Sequence, residues 1–466
     1  MSARRSTRLS HALVSIALCG AVIGSLGAPL ITPVATGMHV PLDVAQWTLT
    51  VTLFTGAIAG PVLGRLGSGS HRRATILATL ALVTLGGALT AAPLPFAALL
   101  VGRGLQGLGL GVVALLMSVA RDQLPAERSA SAIAMISVAS TVGVGVGYPL
   151  IGLLDQLAGL RVAYGFGFLL SLGALAIAWL TLPRDAPAPP VQVDAPAPPV
   201  QVDAVGALLL GAGTLGLLLA IAEPTVWKAP LVGGAIIVAA AIALGFWVAV
   251  ELKAAAPLVD LRLLAQSAVL RANTGMLVAG VGMYLLFSLL TRYVQTPATA
   301  GYGFALPGVA AGAALIPFSV LGFIAGRVAP AAIARSSGRT VYAAAAISVM
   351  IAAALFAAAP DSPVAVLGAM AVLGFGVGGV SAVMPRLVLA GVPHTETASV
   401  LLINQIIRSI GFGIGSALAG MLLAGATRPG ALSPQEHGYL AAAQWVLPLL
   451  ALSIVVVALS RRRRTR

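Results

Sequence analysis

Charged residues are scarce in this chain. Only 9% of its 466 residues are Asp, Glu, Lys or Arg, while 59% are apolar; ordinary soluble domains carry about 25% charged residues. The apolar residues come in runs of about 20, enough for a helix to cross a bilayer. This composition excludes a soluble domain and predicts an all-α polytopic membrane protein. A transmembrane barrel is excluded too, because alternating segments of about ten residues do not occur.

Cysteine is almost missing, and so are the side-chain groupings of most enzymes. The single Cys19 excludes an intramolecular disulfide. Metal-ligand spacings of His, Cys, Asp and Glu do not occur, and no Ser-His or Asp pair lies within an apolar run. We therefore expect no metal, no cofactor and no enzyme activity. A Walker loop is also lacking, which argues against an ATP-driven pump. GFGVGG at residues 374–379 fits the dinucleotide fingerprint, but it lies within an apolar run, so we attribute it to close helix packing.

Fourteen apolar runs are predicted to span the membrane. If the N-terminus is cytoplasmic and the runs alternate, 21 of the 27 Lys and Arg residues lie inside and 4 outside, as the positive-inside rule requires. Both termini are then cytoplasmic, and the net charge of +14 reflects these loops instead of a nucleic-acid partner. The runs lie at residues 11–34, 45–64, 74–93, 96–118, 131–154, 162–183, 205–222, 230–250, 272–293, 306–328, 340–359, 363–386, 397–424 and 438–459.

A proline-rich repeat divides the runs into six, two and six. The unit DAPAPPVQV occurs twice within residues 185–202, and proline favours an extended, semi-rigid linker. Six helices on each side of a cytoplasmic connection are expected of a transporter built from repeated halves. The predicted segments are a six-helix bundle at 1–183, the linker at 184–204, two additional helices at 205–251, a cytoplasmic connection at 252–271, a second six-helix bundle at 272–460 and a basic tail at 461–466.

Two arginines lie inside predicted spans. Arg103 is about 9 Å into its run from the outer end, and Arg408 about 18 Å into its run from the inner end. A charge at mid-membrane costs about 2.5–3.5 kcal/mol on insertion scales. Gln106 shares a helix face with Arg103, and Asn404 shares one with Arg408. We predict that these four residues face a protein-lined aqueous cavity. For Arg103, snorkelling to the interface is the alternative.

Glycines and one proline in the fifth run, GVGVGYPLIG at residues 143–152, predict a segment that takes part in gating. Gly143 and Gly147 have the small-xxx-small spacing that lets helices pack closely. Pro149 removes a backbone hydrogen bond and is expected to kink the helix, and Gly152 follows one turn later. A bent, closely packed helix suits a segment that changes its packing between two states.

The loop between the second and third runs, GPVLGRLGSGSHRR at residues 60–73, carries Gly60, Arg65 and Gly67. Glu396 lies at the start of the run at 397–424, in the first turn of the helix predicted there, where the helix dipole favours a carboxylate. We predict that Glu396 pairs with Arg65 and latches the cytoplasmic side. A plain turn within a positively charged cluster is the alternative.

Together these stretches resemble the major facilitator superfamily, and specifically its fourteen-helix drug:proton antiporter branch. The resemblance covers nearly the whole chain and implies two six-helix bundles with two extra central helices. Arg103, Gln106 and Gly107 match the family's fourth-helix motif, whose arginine is implicated in proton transfer. Two departures weaken the match: the acid of the family's signature loop falls on Gly64, and Tyr148 separates the glycine and proline of the antiporter motif.

None of the 13 acidic residues lies within a predicted span. Proton-coupled carriers usually bury a titratable group, so we expect the proton site at a helix end, with Asp122, Asp43 and Asp155 as the candidates. A cavity that holds Arg103 and Arg408 without an acid would be electropositive. It should favour neutral or anionic amphiphiles over lipophilic cations.

The sequence therefore predicts a secondary transporter that exports small amphiphilic molecules or drugs by alternating access, as a proton antiporter. Arginine outnumbers lysine 25 to 2, which suggests a GC-rich bacterial genome, so we expect the bacterial plasma membrane. The expected partners are the lipid bilayer and a small-molecule substrate, and the chain is expected to be a monomer that uses the proton gradient. The alternatives are a facilitator-family carrier for a specific metabolite or anion, in either direction, and a structural or sensory protein without transport.

Overall fold

The structure is a computed structural model in which most of the chain is described. The described residues are 3–40, 42–67, 71–183, 204–222, 226, 229–254, 261, 266–306, 308–393, 396–428 and 433–459. The predicted linker and basic tail therefore lie almost entirely outside the described residues, as does half of the connection at 252–271.

Throughout the described ranges the chain is helical and forms no strand, so the all-α prediction is confirmed. The helices, apart from short 3₁₀ segments, are α1 (Ala3–Gly24), α2 (Ile31–Gly37), α3 (Leu42–Leu66), α4 (Arg72–Ala91), α5 (Phe96–Gly107), α6 (Gly109–Gln123), α7 (Ala126–Ala158), α8 (Leu160–Thr181), α9 (Ala204–Ala222), α10 (Pro230–Lys253), α11 (Ser267–Gln295), α12 (Gly308–Ala313), α13 (Ile316–Arg335), α14 (Gly338–Ala358), α15 (Pro363–Val388), α16 (Thr397–Gly425), α17 (Glu436–Gln444) and α18 (Val446–Ala458).

Each of the fourteen predicted runs coincides with one helix or with two consecutive helices. In the described part of the chain, eleven of these segments are long and apolar enough to cross a bilayer. Four runs are interrupted: residues 25–30 separate α1 from α2, α5 and α6 meet at Leu108, α12 and α13 at Leu315, and α17 and α18 at Trp445. Pro317 and Pro448 follow two of these breaks, because proline lacks the N–H that would continue the preceding helix.

The chain divides into two compact units. Unit 1 comprises Met1–Leu217, Gly234–Leu261 and Val392–Leu402, and unit 2 comprises the remaining residues. Most of α9 and α10, the predicted additional pair, therefore belongs to unit 1.

Within unit 1, α1 packs against α7 and α8, α4 against α5 and α8, and α3 against α5 and α6. At the two glycines singled out in the sequence, α7 contacts α1 and the residue that follows it. A Cβ on Gly143 would lie 2.3 Å from Ala21 Cβ, and one on Gly147 would lie 2.0 Å from Ser25 Oγ. Their predicted role in close packing is confirmed. Pro149 lies inside α7.

Within unit 2, α15 packs against α13 and α14, and α11 against α18. The GFGVGG stretch lies in α15. A Cβ on Gly374 would lie 1.9 Å from Phe318 O, and one on Gly378 would lie 2.4 Å from Gly322 O. These glycines let two helix backbones touch, so the close-packing interpretation of the stretch is confirmed.

Candidate functional site

Arg103 is fully enclosed by unit 1, with 0% of its surface exposed. Its Nε donates to Thr48 O at 3.2 Å, and its Nη1 donates to Gln106 Oε1 at 2.6 Å. The side chain is surrounded by protein, so it contacts neither acyl chains nor headgroups and does not snorkel. The predicted Arg103–Gln106 pair is present.

The backbone around Arg103 is held by two threonines of α3. Leu108 N donates to Leu105 O, three residues back instead of four, which tightens the end of α5. The carbonyl oxygens of Arg103 and Gly104 accept from the hydroxyls of Thr52 at 3.1 Å and Thr55 at 2.7 Å. Hydroxyl donors of this kind are what allow a broken helix at membrane depth.

Gly107 lets α3 reach this position. A Cβ there would lie 2.0 Å from Thr55 Oγ1 and 2.3 Å from Thr52 O, so α3 could not approach α5 closely enough for the threonines to bond. Close packing against α3 therefore explains why a glycine stands at this position of the fourth-helix motif.

Gln106 continues the polar network away from Arg103. Its Nε2 lies 3.4 Å from Thr90 Oγ1 of α4, at the long end of a hydrogen bond. Gln106 also lines a small enclosed cavity of about 20 Å³, which is room for one water molecule. Arg103, Gln106 and Thr90 therefore form one buried polar chain through the interior of unit 1.

In unit 2 the predicted polar residues of α16 are also buried. Asn404 Nδ2 donates to Asn273 Oδ1 of α11 at 2.9 Å, and the Arg408 guanidinium lies over the Phe412 ring, 5.8 Å from its centroid. Arg408 is 9% exposed. The sequence analysis did not single out Asn273, although an asparagine within an apolar run is itself a signal.

Arg408 stands at one end of a series of aromatic rings on α16, α11 and α13. Phe412 stacks on Tyr284 with centroids 5.2 Å apart, Tyr284 lies 5.4 Å from Phe287, and Phe287 lies 5.3 Å from Phe318. These four rings are called here the aromatic row. Together with Arg408 they place a cation beside aromatic rings within unit 2. Ring faces and a guanidinium are suited to planar ligands with electron-rich edges.

The acidic candidates differ in their surroundings. Asp122 forms an ion pair with Arg72, and its side chain is 23% exposed. Asp155 is half-buried in the last turn of α7, and the side chain of Asp43 lies outside the described residues. Glu251 was not among the candidates because it follows the predicted span 230–250. It lies in the last turns of α10, is 3% exposed, and is the only carboxylate classed as buried among the described side chains.

Gly60 and Gly67, two of the residues predicted to act in gating, lie where neighbouring residues come close to the backbone. A Cβ on Gly67 would lie 2.5 Å from Leu115 Cδ2, and Gly60 Cα lies 3.1 Å from the Cβ position of Gly111. The side chain of Arg65 lies outside the described residues, so its pairing with Glu396, which is half-buried, stays a prediction.

Arg121 is hydrogen-bonded to the first residue of α16 and to the segment before it. Arg121 donates from Nη1 to Thr397 Oγ1 at 2.6 Å and from Nη2 to Val392 O at 2.9 Å. From the sequence, Arg121 is expected only as one of the 21 Lys and Arg residues on the cytoplasmic side. Its two bonds join residues 271 and 276 positions apart, which no local pattern reveals.

Two curated bacterial relatives match parts of the chain. The Purine ribonucleoside efflux pump NepI of Escherichia coli O127:H6 is 29% identical over 173 residues, which is 36% of this chain and 43% of that protein. The Multidrug resistance protein B homolog of Mycobacterium tuberculosis is 26% identical over 260 residues, or 54% of this chain and 46% of that protein. The matched region thus spans less than half the length of these relatives.

Solved structures match almost the whole chain at the level of the fold. The human organic anion transporter MFSD10 (TETRAN) superposes with a TM-score of 0.66 at 16% identity, covering 96% of this chain and 99% of that one. A crystal structure of peptide transporter POT gives a TM-score of 0.60 at 14% identity, covering 96% of this chain and 93% of that one.

The family model of the Major Facilitator Superfamily matches residues 12–416. That span includes Arg103 with its polar chain, Gly143 and Gly147 of α7, and the aromatic row. The chain belongs to the Major Facilitator Superfamily and is a multi-pass membrane protein.

Proposed function

We propose that the chain exports small planar amphiphiles, neutral or anionic, across the bacterial plasma membrane by alternating access. The observation that carries this proposal is the combination of Arg408 with the aromatic row in unit 2. An aromatic solute gains stacking energy on such rings, and a guanidinium attracts its electronegative or anionic edge.

Charge decides which solutes are favoured. Two buried cations, Arg103 and Arg408, lie within predicted spans, whereas the described side chains include one buried carboxylate, Glu251, at a helix end. A lipophilic cation would meet like charge without a nearby compensating acid, which is unfavourable in a medium of low dielectric constant. The proposed substrates are therefore neutral or anionic.

The names of the curated relatives support export as the direction. Their names refer to efflux or to drug resistance, and one of them names purine ribonucleosides, which are uncharged and carry a planar purine base. That substrate belongs to the relative, and here it supplies a first compound to test.

An accumulation assay in an efflux-deficient bacterial host tests the proposal. Cells that express the chain should accumulate less inosine and less fluorescein than cells with an empty vector, and accumulation of tetraphenylphosphonium should not change. Arg408→Gln should weaken this export about fivefold, since an interaction between a cation and an aromatic or anionic group contributes about 1 kcal/mol. Selective export of tetraphenylphosphonium, or increased uptake of the other two compounds, would contradict the proposal.

We further propose that export is driven by protons and that Glu251 carries the proton. A carboxylate buried near the membrane is a default candidate for a functional group. Glu251→Gln fixes the neutral form. Export driven by a pH gradient across proteoliposomes should fall at least tenfold, while exchange of labelled for unlabelled substrate without a gradient should continue.

Glu127 offers a matched control, because it is an exposed glutamate in the first turn of α7. Glu127→Gln should leave both measurements near the wild-type value. If Glu251→Gln keeps full gradient-driven export, Glu251 is not the proton carrier.

A further inference from the structure

Unit 1 contains an open cavity of about 710 Å³ at the end that the charge pattern predicts to be outer. It lies among the end of α2, the turn between α4 and α5, and the turn between α7 and α8. The lining residues used below are His39, Thr90, Phe96, Leu99, Arg161 and Tyr164. Among the described residues that line this outer cavity, none is Asp or Glu.

The Tyr164 hydroxyl in this lining lacks a partner. Tyr164 is 1% exposed, yet within the described part of the chain its hydroxyl forms no hydrogen bond, and neither does Arg103 Nη2. Buried polar atoms almost always have partners, so each exception calls for an explanation such as a bound ion, water or ligand.

The chemistry of the missing partner follows from these two atoms. A guanidinium nitrogen can only donate, and a tyrosine hydroxyl donates as readily as it accepts. What is missing is therefore an acceptor. Thr90 is already engaged, since its hydroxyl donates to Gly87 O at 2.9 Å and accepts the long bond from Gln106.

The charges around the cavity favour an anionic acceptor. Arg161 brings a positive charge to the lining, and Arg103 is a second positive charge buried in the same unit. Asp155, in the last turn of α7, is not part of the described lining. Phe96 and Leu99 supply an apolar wall beside these groups.

We propose that the outer cavity of unit 1 binds a small amphiphilic anion, whose carboxylate or phosphate accepts a hydrogen bond from Tyr164 and whose apolar body rests on Phe96 and Leu99. This cavity is distinct from Arg408 and the aromatic row, which we propose to bind the transported substrate. Binding of the anion in the cavity does not depend on the proposed export. A free amphiphilic anion and the headgroup of an anionic lipid both carry the required acceptor.

Binding of three probes of nearly equal size tests the proposal. The full chain in phosphatidylcholine nanodiscs should bind benzoate more tightly than benzamide, and benzamide more tightly than benzamidine. Tyr164→Phe should weaken benzoate binding about tenfold, because a hydrogen bond to a charged group contributes about 1.5–3 kcal/mol. Arg161→Gln should weaken it less and reduce its dependence on salt, since Arg161 is exposed.

Tyr342→Phe is the matched control, because Tyr342 is a fully buried tyrosine of unit 2 whose hydroxyl donates to Gly275 O. It should not change benzoate affinity. Equal benzoate affinity in wild type and Tyr164→Phe, or tighter binding of benzamidine than of benzoate, would overturn the proposal.

A second set of nanodiscs containing phosphatidylglycerol distinguishes the two sources of the anion. If the lipid occupies the cavity, benzoate binding falls in these nanodiscs for the wild type, and Tyr164→Phe removes that competition. If competition is absent, the site takes the free anion. The accumulation assay on Arg408 is a separate readout, so failure of one proposal does not imply failure of the other.

Discussion

Arg103→Met should abolish transport and leave the chain folded in the membrane. Methionine keeps an unbranched side chain of similar length but removes both donors, so Thr48 O and Gln106 Oε1 lose the bonds they accept from Arg103. Each buried polar atom left unpaired costs about 1–3 kcal/mol. The gain from no longer burying a charge offsets part of that cost, so we expect a modest change in stability and a large change in activity.

The loss of activity has a specific cause. Gln106 is held between Arg103 and Thr90, and without the guanidinium its amide is free to turn. The polar chain through unit 1 is then broken at its centre. We expect substrate flux in proteoliposomes to fall at least 100-fold, which is about 2.7 kcal/mol.

Arg103→Lys separates charge from geometry. An ammonium keeps the charge but not the planar fork that serves Thr48 and Gln106 together, so its flux should lie between those of the wild type and Arg103→Met. Flux should be measured on protein that elutes as a single peak in size-exclusion chromatography. Wild-type flux in Arg103→Met would show that the buried charge has no part in transport.

Sequence patterns predicted features that lie within one helix or follow from composition. Gly143 and Gly147 share a helix face by their spacing, and the structure packs that face against α1. Arg103 and Gln106 are three residues apart, and they are bonded. In these cases helical periodicity alone sets the geometry.

Features that join distant segments could not be predicted in this way. Asn273 meets Asn404 across 131 positions of the sequence, and Arg121 reaches Thr397 across 276. A single sequence shows which face of a helix is polar, but not which helix packs against that face. Glu251 was missed for another reason, because the predicted span ended one residue before it and span boundaries are uncertain by a few residues.

The largest effect on stability is expected from Gly374→Ala in α15. The added Cβ would lie 1.9 Å from Phe318 O, 2.5 Å from Phe318 C and 2.6 Å from Phe318 Cα. All three are backbone atoms of α13, so no side-chain rotation relieves the contact and the two helices must separate by more than 1 Å. Overpacking costs about 1–3 kcal/mol, and every contact between these helices weakens with it. We expect the melting temperature of the purified chain to fall by about 5–10 °C.

Gly368→Ala in the same helix is the matched control for Gly374→Ala. Its Cβ would meet only Leu355 Cδ2, at 3.6 Å, which is an ordinary contact. Alanine favours a helix by about 1 kcal/mol over glycine, so this variant should melt at or slightly above the wild-type temperature. The two substitutions gain the same helix propensity, and their difference therefore measures the cost of separating α13 from α15. Equal melting temperatures would mean that the helices move apart freely, and the glycines at 374 and 378 would then not hold the backbones of unit 2 together.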